Sequence, residues 1–117
     1  MSSAEPQIIN LRVTVPANAE ADATDDVRVD GAVTRITVHF PAGANALVDV
    51  AVKVGNEQIL PIEGFIALDN VTPSFDVFRP VKEGDTVGAK IRNADGANPH
   101  TITVIAEVTP EDRLGKR

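Results

Sequence analysis

Apolar residues recur at every second position through most of this sequence, and that alternation constrains the fold more than any other feature. In residues 8–15 the odd positions are apolar, and in residues 32–40 and 46–54 the even positions mostly are. A period of two indicates strands with one face buried and the other exposed to solvent. Residues 86–93 and 100–108 alternate in the same way, which predicts antiparallel strands along most of the chain.

Residues that favour turns separate these segments. Gly55 and Asn56 stand between two strand-like runs, which suits a two-residue hairpin. Pro73 and Pro80 frame residues 74–79, as is typical of an edge strand. Short strands separated by such turns favour a sandwich over an α/β fold.

The predicted fold is therefore all-β: a single β-sandwich or jelly roll of about seven to eight antiparallel strands, forming one domain over residues 1–117. Three segments lie outside the alternation and are predicted to be flexible: 1–6, 17–30 and 109–117. The middle one is acidic and has little apolar content, which is typical of a solvated loop. In the last, Thr109 is placed as an N-cap and Pro110 as the first residue of a helix, so we expect a short helical turn there.

The composition excludes several classes of function. The chain has no cysteine, so disulfides, thiolate metal sites and a cysteine nucleophile are ruled out. Its 17 acidic and 11 basic residues give a formal net charge of −6, which disfavours nucleic acid as a partner. No apolar run is long enough to span a membrane, and the first residues lack the basic and apolar regions of a secretory signal. We therefore expect a protein made in the cytosol, with no membrane partner.

The two histidines are the first candidates for chemistry. His39 lies on the polar side of its strand, so we expect it to face solvent or an interface. His100 begins the apolar side of the last strand, which indicates a buried histidine held by a hydrogen bond. The serines are Ser2, Ser3 and Ser74, and none lies in a Gly-x-Ser-x-Gly motif. We expect no catalytic residues and no enzyme activity.

Acidic residues within the segment 17–30 suggest a cation site. Asp22, Asp25 and Asp26 offer hard oxygen ligands close together in the sequence. They lack the Asp-x-Asp-x-Asp-Gly spacing that would make a calcium site specific. A solvated loop is therefore the favoured interpretation, and cation binding by these three residues stays open. We expect no cofactor.

A stretch near the C-terminus resembles part of the cupredoxins. Residues 81–87 place a Gly-Asp turn before a strand, Asn93 and Asp95 follow, and a Pro-His pair ends at His100. In cupredoxins the corresponding histidine is a copper ligand, and the resemblance implies a sandwich. A type 1 copper site also needs a cysteine and a second histidine, usually with an axial methionine. The chain has no cysteine, its one methionine is Met1, and no histidine follows His100, so the resemblance implies the fold without the copper.

In size, strand and turn style, and lack of cysteine, the chain resembles the small accessory proteins, of decoration or turret type, on the capsids of tailed viruses. The resemblance implies a structural protein of the virion, made in the host cytoplasm, that binds the capsid surface and stabilises neighbouring subunits. It also implies a homo-oligomer, such as a symmetric trimer or pentamer. The residues predicted to lie at its interfaces are Leu47, Phe78, Ile105, Arg113 and Arg117.

A second interpretation is a non-enzymatic module that binds a small ligand or a glycan. Its site would be formed by two turn-rich loops, residues 41–45 and 94–99, at one end of the sandwich. Screening on a glycan array would distinguish this interpretation from that of a virion protein.

Overall fold

A computed structural model of the chain describes residues 5–114, so most of the segment 1–6 and the end of the segment 109–117 lie outside it. Within residues 5–114 the polypeptide forms eight β-strands and one turn of 3-10 helix at Glu111–Arg113. The all-β prediction is confirmed. No helix in this range is long and apolar enough to cross a membrane. The strands are β1 (Gln7–Val15), β2 (Ala19–Asp26), β3 (Gly31–His39), β4 (Val48–Val54), β5 (Glu57–Leu60), β6 (Ser74–Val81), β7 (Thr86–Asn93) and β8 (His100–Pro110).

The strands form two antiparallel sheets that pack face to face. The front sheet has the order β1-β8-β3-β6, and the back sheet has the order β2-β7-β4-β5. The first strand pairs with the last, the second with the second-last, and so on inward: β1 with β8, β2 with β7, β3 with β6, and β4 with β5. This nested pairing, wrapped into two sheets, is the strand order of a jelly roll.

The core lies between the sheets and is built from the inward positions of the alternation. Ile36 of β3, Val50 of β4, Ile91 of β7 and Ile102 of β8 are fully buried, as is Phe40 immediately after β3. Valine and isoleucine predominate because β-branched side chains fit the pleated surface of a strand. One cluster of buried apolar side chains joins the two sheets.

The interpretation of residues 17–30 as a solvated loop is wrong, because Ala19–Asp26 forms strand β2. Its side chains alternate. Ala19, Ala21 and Ala23 are half-buried against the core, whereas the even positions are exposed to solvent. Alanine carries little apolar surface, so the period of two is present in the sequence but shows only weakly as hydrophobicity.

The helical turn near the C-terminus begins later than expected. Strand β8 continues to Pro110, and the 3-10 helix follows directly. Thr109 is therefore a strand residue and not an N-cap. Its hydroxyl oxygen lies 2.7 Å from the hydroxyl oxygen of Thr34 in β3, so it links two neighbouring strands of the front sheet.

The sandwich has two distinct ends and two distinct long sides. The upper end carries the loops 40–47 and 94–99, and the lower end carries the 3-10 helix and the predicted two-residue turn Gly55–Asn56 between β4 and β5. One long side is formed by β1 and β2. The other, named here the hairpin side, is formed by β5 and β6, which Arg79 and Glu57 connect by an ion pair of 2.9 Å.

Candidate functional site

Buried polar side chains meet at the upper end, where β7 leads into β8. Within residues 5–114 they are Asn93, Asp95 and His100, each at most 9% exposed. His100 Nε2 lies 2.8 Å from Asp95 Oδ2. Because an ionised carboxylate can only accept hydrogen bonds, Nε2 carries the hydrogen and donates it to Asp95. The prediction that His100 is buried and hydrogen-bonded is confirmed.

Asn93 joins this pair to the surrounding backbone. Its amide nitrogen lies 3.0 to 3.1 Å from the carbonyl oxygens of Val15, Pro16 and Asn98, which share its two hydrogens. Its amide oxygen accepts a hydrogen bond from the Asp95 N–H at 2.9 Å. A buried amide whose donors and acceptor are all used holds its neighbours in one arrangement. Asn93 therefore ties the loop between β7 and β8 to the end of β1.

The Asp95 carboxylate also closes its own loop. Its Oδ1 accepts hydrogen bonds from the N–H groups of Ala97 and Asn98 at 2.8 and 3.2 Å. The hydrogen bond from His100, together with these backbone donors, lowers the pKa of Asp95 to about 2, although burial opposes the shift. The carboxylate is therefore ionised at neutral pH, when it holds the loop most strongly.

A carboxylate that orients a histidine is also part of a catalytic triad. A triad needs a nucleophile within hydrogen-bond reach of the histidine, and within residues 5–114 the side-chain partner of His100 is Asp95. No group of three or more potential metal ligands occurs in the same range. What the structure shows of this cluster is that Asn93 and Asp95 hold the loop between β7 and β8 through hydrogen bonds to its backbone.

His39 lies apart from this cluster. It is exposed at the end of β3, as its place on the polar side of the strand predicts. Its Nδ1 lies 2.8 Å from the hydroxyl oxygen of Thr72. The two histidines therefore occupy different environments and do not form a common site.

The two loops predicted to form a ligand site do lie together at the upper end. The N–H of Ala94 donates to the carbonyl oxygen of Leu47 at 2.8 Å, which joins the loop 94–99 to the strand entry beside the loop 41–45. Two backbone N–H groups of the loop 41–45 donate to the carboxylate of Asp69 at 2.8 and 3.1 Å. Two of the loop 94–99 donate to the carboxylate of Asp95. Carboxylates of the chain itself therefore occupy four backbone N–H groups of these two loops.

The interface candidates do not share one surface. Phe78 is 66% exposed on the outer face of β6, and Ile105 is half-buried on the outer face of β8 in the same sheet. Leu47 is 40% exposed at the upper end, and Arg113 is exposed in the 3-10 helix at the lower end. Arg117 lies outside the described residues. Of the five, Phe78 and Ile105 are therefore the pair that a single interface could cover.

The hairpin side carries the two most exposed large apolar side chains of the described residues. Ile62, which follows β5, is 84% exposed, and Phe78 is 66% exposed. The backbone around Ile62 is held by the Gln58 amide, which donates to the carbonyl oxygens of Pro61 and Gly64 at 2.7 and 2.8 Å. Ile62 therefore projects from a turn that is closed by hydrogen bonds.

The carboxylates of the suggested cation site do not converge. Asp22 and Asp26 lie on the solvent face of β2, whereas Asp25 lies on the other face. Asp25 accepts a hydrogen bond from the Asp26 N–H and pairs with Arg28 at 3.6 Å. Since neighbouring residues of a strand point to opposite faces, these side chains cannot surround one ion without breaking the strand.

The upper half of the back sheet's outer face is covered by charge pairs. Glu20 pairs with Lys90 at 3.2 Å, and Asp49 pairs with Arg92 at 2.9 Å. The guanidinium carbon of Arg92 also lies 3.8 Å from the centre of the Phe65 ring, which is a cation–π contact. The charged side chains in this upper half are therefore paired with one another.

The lower half of the same face differs, because it contains a depression of about 290 Å³. This depression could not be predicted from the sequence, since its residues come from three strands and a turn. A wider and more open depression of about 570 Å³ surrounds the Arg79–Glu57 ion pair at the lower end. The polar side chains around the smaller depression are Asp22, Thr24, Lys53, Asn56 and Thr86.

Comparison with known proteins identifies no family. No protein-family model and no curated protein matches the chain. The crystal structure of FLHE superposes with a TM-score of 0.49 at 13% sequence identity, over 90% of this chain and 98% of that one. The crystal structure of the Yersinia pseudotuberculosis-derived mitogen gives 0.48 at 17% identity, over 97% and 98%. Similarity at this level supports no functional assignment, so the function has to be argued from the surface of this chain.

Proposed function

We propose that this protein is a structural accessory protein of a virus particle, which binds the capsid surface through its hairpin side and stabilises neighbouring capsid subunits. It acts without catalysis, by burying apolar side chains against a protein partner. The observation that carries the proposal is the exposure of Ile62 and Phe78 on that side.

Exposed side chains of this size favour association with a partner. Burying an isoleucine or a phenylalanine side chain that is otherwise in water contributes about 1.5–3 kcal/mol. Beside Ile62 and Phe78, the side chains of Ile59, Leu60 and Val77 are only partly buried against the core. We name these five side chains, which belong to β5, β6 and the turn after β5, the apolar patch. Exposed apolar groups concentrated on one side of a domain favour binding to another protein.

Exposed charge also distinguishes the hairpin side from the opposite side. Each side ends in two edge strands, β5 and β6 on the hairpin side and β1 and β2 on the other, and edge strands offer backbone hydrogen bonds to a partner. On the opposite side, β2 presents Glu20, Asp22 and Asp26 to solvent. The Gln7 amide bridges that side by donating to the Asp26 carbonyl oxygen at 2.9 Å. Burial of these charges would be costly, so the hairpin side is the better docking surface.

Sedimentation with capsids tests the proposal. Capsids of the virus that encodes this chain, prepared without it, would be mixed with the protein and pelleted. We expect the wild type to pellet with them and the double variant Ile62→Ser, Phe78→Ser to bind at least tenfold more weakly, since it loses apolar burial at two positions. The variant's melting temperature should stay near that of the wild type, because neither side chain is in the core.

A matched control is Ile8→Ser. Ile8 is 57% exposed in β1, on the opposite long side, so its replacement removes similar apolar surface without touching the patch. We expect this variant to bind as the wild type does. A wild-type protein that stays in the supernatant, or an Ile8→Ser variant that loses as much binding as the double variant, would overturn the proposal.

The proposed assembly is a closed homo-oligomer, a trimer or a pentamer, that buries Ile105 on the outer face of the front sheet between copies and leaves Phe78 for the capsid. Native mass spectrometry over a range of salt concentrations measures its state. We expect oligomers that weaken in the Ile105→Ser variant. A monomer at every salt concentration would remove self-association from the proposal.

A further inference from the structure

We propose that the depression over Gly88, on the outer face of the back sheet, binds a neutral sugar unit. This site shares no residue with the apolar patch of the hairpin side, so it goes beyond the capsid-binding function and does not depend on it.

The depression arises because a glycine occupies an outward position in a central strand. Gly88 of β7 stands directly opposite Thr24 of β2 and opposite Lys53 of β4. Neighbouring strands lie about 4.8 Å apart, so the backbones that carry these two flanking side chains are roughly 9–10 Å apart with no side chain between them. The gap is wide enough for a flat ring to lie against the backbone of β7.

Glycine is also favoured at this position by the packing of β2 on β7. A Cβ at Gly88 would lie 3.1 Å from Thr24 Cγ2 and 3.4 Å from the carbonyl oxygen of Ala23. The first distance is shorter than an ordinary contact, so a larger residue would push the threonine aside. A side chain here would therefore fill the floor of the depression and disturb one of its walls.

The polar side chains around the depression have no partners in the protein. Within residues 5–114, Asp22 and Lys53 form no salt bridge. Lys90 stands opposite Asp22 in the register, but it pairs with Glu20 instead. In the described part of the chain, the five polar side chains that surround Gly88 form no hydrogen bond to another protein group. They are Asp22, Thr24, Lys53, Asn56 and Thr86. Higher on the same face, by contrast, the charged side chains form the ion pairs Glu20–Lys90 and Asp49–Arg92.

The mixture of groups selects the class of ligand. Asp22 offers only acceptors and Lys53 only donors, whereas Thr24, Thr86 and Asn56 offer both. A simple anion would be repelled by Asp22, and a simple cation would be repelled by Lys53. Adjacent hydroxyl groups of a sugar ring each donate and accept, so they can satisfy both charged groups at once. A volume of about 290 Å³ lies at the small end for ligand sites, which fits one sugar unit and not an oligosaccharide.

Titration followed by NMR tests the inference. The probes are the methyl glycosides of glucose, galactose, mannose and N-acetylglucosamine, with methyl glucuronide and glucosamine as charged comparisons. We expect at least one neutral glycoside to shift the backbone amide signals around Gly88, Thr24 and Lys53, and to bind at least tenfold more tightly than the charged probes. No response to any neutral glycoside, a preference for a charged probe, or shifts confined to another surface would overturn the inference.

Two variants and a control complete the test. Asp22→Asn and Lys53→Gln each remove one charge at nearly constant size, and each should weaken binding of the neutral glycoside at least tenfold. Asp76→Asn is the matched control, because its side chain is 90% exposed on the front sheet, and it should bind as the wild type does. Binding that persists unchanged in both site variants would contradict the assignment. Capsid sedimentation of the same variants keeps the two proposals separate, since it should be unaffected.

Discussion

The aspartates of this protein differ in what their carboxylates contact, and the sequence does not show which contact each one makes. The carboxylates of Asp30, Asp69, Asp85 and Asp95 accept hydrogen bonds from backbone N–H groups, whereas that of Asp22 has no such partner in the described residues. Capture of a backbone N–H depends on which loop the fold brings near the side chain. The abundance of aspartate could therefore be read from the sequence, but the division between loop-closing and uncommitted carboxylates could not.

Asp95 should make stability depend on pH in an acidic window. Its pKa is about 2 in the folded protein, below the usual value of 3.8. Between these two values the unfolded state binds more protons than the folded state, so stability rises with pH. We expect the stabilisation by this carboxylate to be complete above about pH 4 and lost as the pH falls to about 2. Denaturation of the wild type and Asp95→Asn over this range should show a difference in free energy of unfolding that shrinks toward acid.

The control for this pH dependence is Asp76→Asn, whose side chain is 90% exposed. Its free energy of unfolding should follow that of the wild type to within about 0.5 kcal/mol at each pH. A difference between the wild type and Asp95→Asn that is the same at pH 2 as at neutral pH would mean that the carboxylate does not titrate as its hydrogen bonds require.

Among the elements, the strands with large apolar residues on one face could be predicted, and the strand built on alanine could not. The segments predicted at residues 8–15, 86–93 and 100–108 correspond to β1, β7 and β8 with small changes at their ends. Strand β2 was missed because its inward positions are alanines, whose small apolar area gives little contrast with the acidic residues between them. Register and bulges were also beyond prediction, since they depend on the partner strand.

The approach of β3 to β8 depends on Gly31. A Cβ at this position would collide with the carbonyl oxygen of Thr109, so the two backbones could not stay at their present distance. We expect Gly31→Ala to lower the free energy of unfolding by about 1–3 kcal/mol, as overpacking does elsewhere. Urea denaturation measures this loss. In the control Gly96→Ala, the nearest atom would be Asn18 Nδ2 at 3.4 Å, an ordinary contact, and the change should stay within about 0.5 kcal/mol. Equal losses in the two variants would contradict this account.

For the whole molecule, the sequence predicted a sandwich but neither its strand order nor its functional surfaces. Alternation identifies the face that a residue occupies, but not the strand that lies beside it. Phe78 could be singled out because it breaks the alternation of its strand, whereas Ile62 is one of several apolar residues between Leu60 and Ile66 and gives no such signal. The depression over Gly88 needed the register of three strands, so it could be found only in the folded structure.

The nested pairing of the strands has a consequence for the rate and order of folding. β4 and β5 meet across two residues, whereas β1 and β8 must close a loop from Val15 to His100. Because closing longer loops costs more entropy, each outer pair forms most readily after the pair inside it. Gly55→Ala, at a φ of 57°, should therefore slow refolding in stopped-flow experiments, and Ile102→Val should mainly speed unfolding; the reverse pattern would contradict this order. Folding would then begin in the middle of the chain and end where its two ends meet.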